Sequence, residues 1–139
     1  MFDEIKIKTK LEIGRLNIIK FLSIDNNNLR CENEINLLSE FPILYFNCKI
    51  DSPDKKKLLK KFKVDYKIKN QPMNLFFNGN LNILKKKINF ENVRLNNNYN
   101  ATQEDLKYFK KTFENIMFEN NSLNVFDLIK IKKFILEIS

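Results

Sequence analysis

Few side chains in this sequence could do chemistry. There is no histidine among its 139 residues, which removes the usual acid–base group at neutral pH, the Ser-His and Cys-His nucleophile pairs, and most zinc sites. Two cysteines, Cys31 and Cys48, do not make a metal-ligand spacing. Both fall on inward positions of predicted strands, where a free thiol packs as a small hydrophobe. Buried thiols are the expectation, and a disulfide is the lesser reading. The carboxylates Asp25, Glu40, Asp51, Asp54 and Asp65 mostly sit at turns and breaks, with no pair poised for general acid and base work. Gly14 and Gly79 are isolated, so no glycine-rich phosphate loop exists. No catalytic residue, metal or cofactor is expected, and function has to be sought in surface and architecture.

The chain carries a net charge of +8, built from 22 lysines and only 3 arginines. Asn, Ile, Lys and Phe are abundant together, and all four can be encoded by A/T-rich codons. Base composition therefore explains much of the charge. A nucleic-acid reader would use more Arg, whose planar fork contacts phosphate and guanine in two places, so no nucleic-acid partner is expected. Hydrophobic content of 43% and charged content of 30% are those of an ordinary folded chain. No apolar run approaches the ~18 residues of a membrane span. The start, MFDEIKIKTK, contains acidic residues and no continuous apolar run, unlike a signal peptide. It enters a strand pattern directly, which reads as a piece of something longer.

The elements follow from alternation. In Met73–Leu95, residues Met73, Leu75, Phe77, Gly79, Leu81 and Ile83 share one face at period two, and Ile88 and Phe90 continue it on the return. A hairpin at Asn78-Gly79 would set Leu75 against Asn82 and Asn74 against Ile83. A turn at Lys85-Lys86 sets Ile83 against Ile88 and Leu81 against Phe90, and like pairs stabilise a sheet by about 0.2–1 kcal/mol each. Val93 and Leu95 return to the apolar face only through a bulge near Glu91-Asn92. Gly79 becomes a flat spot in that face, where a helix or an acyl chain can approach the backbone.

The rest of the first 95 residues continues the pattern. Phe2–Ile13 alternates Ile5, Ile7, Leu11 and Ile13 with Glu and Lys. A type II′ turn at Gly14-Arg15 gives the pairs Leu11/Ile18 and Ile7/Leu22. A turn at Asn26-Asn27 gives Leu22/Cys31 and Ile18/Ile35, and Ser39–Pro42 leads to Ile43–Ile50 with Ile35/Phe46 and Cys31/Ile50. Asp51–Lys61 breaks the pattern and can hold one helical turn. A fifth strand is expected at Phe62–Ile68, pairing Val64 with Phe77. After the polar loop Asn96–Asn100, Thr102 reads as an N-cap, with Glu104 and Asp105 complementing the helix dipole. Gln103–Glu119 and Val125–Ile138, the latter capped by Asn124, form amphipathic helices. The expected fold is α+β: a curved antiparallel β-meander of about seven strands, with two C-terminal amphipathic helices on or beside its apolar face. Residues 1–95 form the sheet, a groove-like segment, and 96–139 the helical pair of the same domain.

Two helices of about 14–17 residues can cover four or five strands at ~4.8 Å spacing. Part of a seven-stranded apolar face is then left open. The candidate lining of that strip is Ile5, Ile7, Leu11, Leu22, Ile35, Phe46, Val64, Leu75, Phe77, Leu81 and Phe90. The alternative is a structural interaction domain whose apolar face is fully covered and whose open edge pairs with a partner strand. Burial of Leu11, Phe77 and Phe90 together would favour the alternative.

The phrase Gly79-Asn80-Leu81-Asn82-Ile83, followed by Ile88, Phe90, Val93 and Leu95, resembles the strand–hairpin units of AsmA-like proteins, including the YhdP-type branch. Gly14–Ile24 and Leu29–Leu37 fit the same style. The tail YNATQEDLKYFKKTFENIMF…FDLIKIKKFILEIS resembles the end of such proteins from AT-rich alphaproteobacteria. The resemblance implies a long antiparallel sheet folded into a groove with an apolar floor. It also implies a periplasmic, envelope location, with anchoring in the inner membrane through a parent N-terminus not present in this chain. Phospholipid or acyl chains, envelope proteins and further β-segments of the same parent chain are the implied partners, and phospholipid transport and outer-membrane integrity the implied role. This sequence would be the C-terminal portion of such a protein.

Overall fold

A computed structural model describes residues 3–61, 64, 67, 69–119 and 128–138. Seven antiparallel strands follow one another across a single sheet: β1 (Glu4–Glu12), β2 (Arg15–Ile24), β3 (Asn27–Asn36), β4 (Ile43–Ser52), β5 (Met73–Asn82), β6 (Lys87–Leu95) and the two-residue β7 (Tyr99–Asn100). A short helix, α1 (Lys55–Lys61), lies between β4 and β5, and α2 (Gln103–Met117) and α3 (Leu128–Ile138) follow the sheet. This is the expected α+β meander.

The long strand before Lys85 is real. Met73–Asn82 runs unbroken past Asn78-Gly79, and the chain turns over Ile83–Lys86, with Lys86 at φ 52°. Asn78 faces Asn92 while Gly79 faces Phe90, so Glu91 is the extra residue of the expected bulge. That bulge returns Val93 and Leu95 to the apolar face opposite Phe77 and Leu75.

Other expectations are corrected. Val64 and Lys67 lie outside any strand; Phe62, Lys63, Asp65, Tyr66 and Ile68 lie outside the described residues. β5 pairs instead with β4, setting Cys48 opposite Phe77 and Leu44 opposite Leu81. The Asn96–Asn100 loop contains β7, paired with the end of β6. The start expected for the last helix, with its cap Asn124, lies outside the described residues, and the described helix begins at Leu128.

Apart from the absent Val64/Phe77 hairpin, the four remaining expected hairpin registers are displaced by two residues in the same direction. β1 and β2 turn at Ile13-Gly14, with φ 44° and 72°, and pair Leu11 with Leu16. β2 and β3 turn at Asp25-Asn26, with φ 47° and 64°, and pair Leu22 with Leu29. Both are two-residue turns with both central residues left-handed, the twist that suits adjoining strands. β3 and β4 pair Ile35 with Leu44, and β5 and β6 pair Leu81 with Ile88. A shift of two leaves every side chain on its own face, so alternation cannot detect it.

That shift decides the cysteines. Cys31 stands opposite Cys48, not Ile50, and the two form a disulfide with Cα atoms 4.1 Å apart. Buried free thiols are therefore the wrong reading. The ladder explains the approach. Leu37 N–H donates to Gly14 O at 2.7 Å, extending a β2–β3 ladder in which odd-numbered residues of β3 bond to β2. Cys31 thus turns its backbone groups away from β4, and a non-hydrogen-bonded pair brings Cα atoms to about 4.5 Å.

The helices cap one end of the apolar face. Thr102 accepts from Asp105 N–H while the Asp105 carboxylate accepts from Thr102 N–H, closing a capping box that starts α2. Leu106, Ile116 and Met117 are buried. α2 packs on β6 and α3, and Glu114 accepts from Ile88 N–H at 3.0 Å. An aromatic chain runs from sheet to helices: Phe46–Phe90 at 6.0 Å, Phe90–Phe113 at 6.0 Å and Phe113–Phe134 at 5.6 Å. Phe46 and Phe90 sit on strands two apart, nominally about 9.6 Å, and meet because Gly79 stands between them without a side chain. A Cβ at Gly79 would lie 1.9 Å from Asn89 O and 2.9 Å from Phe46 Cζ. The flat spot expected to admit a helix or acyl chain is occupied by the sheet's own neighbours.

Candidate functional site: the open apolar face

Cross-strand register sorts the apolar face into four rows running perpendicular to the strands. The first is Ile5–Leu22–Leu29–Ile50–Leu75–Leu95. The second is Ile7–Lys20–Cys31–Cys48–Phe77–Val93, and the third Thr9–Ile18–Asn33–Phe46–Gly79–Phe90. The fourth is Leu11–Leu16–Ile35–Leu44–Leu81–Ile88. The outer two rows are aliphatic throughout. The inner two carry Lys20, Thr9 and Asn33 over the first three strands and aromatic rings over the last three.

Ten of the eleven expected lining residues lie in these rows. Val64 does not; it is buried, and its N–H donates to Leu59 O at 3.0 Å. Ile5, Ile7 and Leu11 are exposed at 53%, 64% and 64%. Leu22, Ile35 and Leu75 are half-buried, and Leu81 is buried in the end that α2 closes. Phe46, Phe77 and Phe90 are half-buried and belong to the ring cluster that continues into α2. Leu16, Ile18, Leu29, Leu44, Ile50, Ile88, Val93 and Leu95 also lie in these rows and are not in the expected lining, although alternation, with the expected bulge, places them on the same face.

The rows differ in cover. The fourth ends in buried Leu81 and Ile88. The first has no buried member along its whole length, which at ~4.8 Å per strand is about 24 Å. It is flanked by buried Ile24, Asn27 and Ser52, where the Ser52 hydroxyl donates to Asn27 Oδ1 and Lys61 of α1 pairs with Asp25 at 3.1 Å. At the far end Tyr99 faces Leu95, and its hydroxyl donates to Asp105 at 2.8 Å. Burial first, then that hydrogen bond and the carboxylate's charge, push the Tyr99 phenol up. Asp105 is held below the ordinary carboxylate range by the Thr102 backbone N–H first, then by the Tyr99 hydroxyl.

The opposite face is polar. One row across it reads Lys6–Phe21–Arg30–Lys49–Phe76–Arg94, with the Arg94 guanidinium 4.5 Å from the Phe76 ring centre. Carboxylates offset much of its charge: Glu4 pairs with Lys6, Glu32 with Arg30 and Asp51 with Lys49. A shallow cavity of about 400 Å³ lies beside Phe76 and Arg94, lined largely by asparagines. Among the described residues, no group of three or more His, Cys, Asp or Glu is placed to hold a metal. No described helix is long and apolar enough to cross a membrane. No family model, curated protein or solved structure matches the chain.

Proposed function

We propose that this chain is a non-enzymatic lipid-handling module of the cell envelope, the C-terminal part of an AsmA-like protein, on which acyl chains lie along the apolar face. The observation that carries the reading is the first row, a continuous aliphatic line over six strands with no buried member. An acyl chain laid along it exchanges water for aliphatic surface at about 0.8 kcal/mol per buried CH₂. No directional bond pins it, so movement along the row is compatible with transport. The rival, a fully covered interaction surface, fits less well with Leu11 at 64% exposure. The Cys31–Cys48 bridge supports an oxidising compartment such as the periplasm, with inner-membrane anchoring left to the parent chain.

The test is uptake of a fluorescent fatty-acyl probe by delipidated protein, with lipid analysis of the protein as purified. Probe binding is expected, and Leu29→Glu in the middle of the row is expected to abolish it. Leu84→Glu, in the exposed β5–β6 turn, is expected to leave it intact. Absence of both probe uptake and co-purifying phospholipid would refute the proposal.

A further inference from the structure

The two edges of the sheet are treated differently. At one end β7 is only two residues long, a common way to blunt an edge. At the other, β1 offers nine residues, with neither proline nor glycine and no register shift from Glu4↔Ser23 to Glu12↔Arg15. Every residue of β1 is exposed.

Hydrogen-bond parity determines what this edge presents. Because Leu37 N–H donates to Gly14 O, the even-numbered residues of β2 bond to β3 and its odd-numbered residues to β1. The even-numbered residues of β1 therefore turn their backbone groups inward. Ile5, Ile7, Thr9 and Leu11 turn theirs outward. An added strand would bond opposite those four. Lys6, Lys8 and Lys10 would then occupy non-bonded pairs, where facing side chains come closest.

Charge decides what that strand is. A second copy placed antiparallel, with Ile5 matched to Leu11 to continue the aliphatic rows, would set Lys8 against Lys8, Lys6 against Lys10 and Glu4 against Glu12. Like charges directly opposite destabilise a pair, so in the register that continues the rows β1 rejects a second copy and favours an acidic complement. We propose that the β1 edge is a strand-addition site for an extended segment of a partner protein that alternates apolar residues with at least three acidic ones. Its apolar side chains prolong the rows on one face, and its carboxylates face Lys8 and, in competition with the exposed pairs Lys6–Glu4 at 2.7 Å and Lys10–Glu12 at 2.9 Å, Lys6 and Lys10 on the other. Main-chain bonds supply affinity and the lysines supply specificity. This does not depend on acyl-chain binding; it requires that any parent segment preceding β1 leave this edge unpaired.

The probe is a seven-residue peptide alternating valine with three glutamates, titrated into the whole chain and followed by amide hydrogen exchange. Slower exchange at Ile5, Ile7, Thr9 and Leu11 is expected, with binding that weakens as salt rises. Ile7→Pro removes an outward N–H that the β1–β2 ladder does not use. It is expected to lose peptide binding while keeping the parent's melting temperature. The triple variant Lys6→Glu, Lys8→Glu, Lys10→Glu is expected to reverse the preference toward a valine–lysine peptide. Unprotected odd-numbered amides, equal binding of acidic and basic peptides by the parent, or undiminished binding to Ile7→Pro would each overturn the proposal.

Discussion

Reducing the Cys31–Cys48 bridge is expected to destabilise the chain by about 3 kcal/mol, since it closes a loop with a sequence separation of 17 and loop-closure entropy at that length is about 3 kcal/mol. Unfolding entropy of about 2.1 cal/mol/K per residue, over 139 residues, converts this to a fall of about 10 °C in melting temperature. The expectation is specific to the register. Strands β3 and β4 pair over eight positions, from Asn28↔Asp51 to Ile35↔Leu44, and those contacts survive reduction. The reduced protein should therefore remain folded, within a total stability typically about 5–15 kcal/mol. Thermal melts followed by far-ultraviolet circular dichroism, with and without reductant, measure the shift. Mass spectrometry of a non-reduced digest verifies the bridge. Two free thiols titrating in oxidised protein, or a shift below about 2 °C on complete reduction, would overturn this prediction, since a loop of that length is expected to contribute about 3 kcal/mol.

Ile13 is a β-branched residue at φ 44° and 94% exposed; left-handed backbone costs such a residue about 1–2 kcal/mol, so Ile13→Asn is expected to stabilise the protein by about 1 kcal/mol in urea unfolding. Gly79→Ala would drive a Cβ into the Asn89 carbonyl and the Phe46 ring, and overpacking of this kind costs about 1–3 kcal/mol, seen as a lower urea midpoint at unchanged slope. The pKa of Asp105 is depressed in the folded state, so its contribution is present above the unfolded value near 3.8 and is lost as pH falls through the folded value. Asp105→Asn should therefore lower stability at neutral pH and remove that part of the acid-side loss, checked by melts across the acidic range.

Which residues share a face is legible from their order alone. Period-two alternation placed Ile5, Leu22, Ile35, Leu75 and Leu81 on the apolar side. It also exposed the bulge at Glu91, because Val93 and Leu95 would otherwise point the wrong way. The Thr102 cap was legible because its partner Asp105 lies within one turn of it. What alternation could not settle was translation along the strands, since a slide of two residues preserves every face. Only the assembled sheet, with left-handed turns at Ile13-Gly14 and Asp25-Asn26, decided that slide. From it followed the Cys31–Cys48 bridge and the unbroken aliphatic row; β4 became the neighbour of β5 for a separate reason, that Val64 and Lys67 lie outside any strand. Cover was equally a tertiary matter. Leu11 and Leu81 read alike in sequence and lie in the same row, yet one is exposed at the β1 edge and the other buried, because α2 packs on β6 at the far end of the sheet from β1.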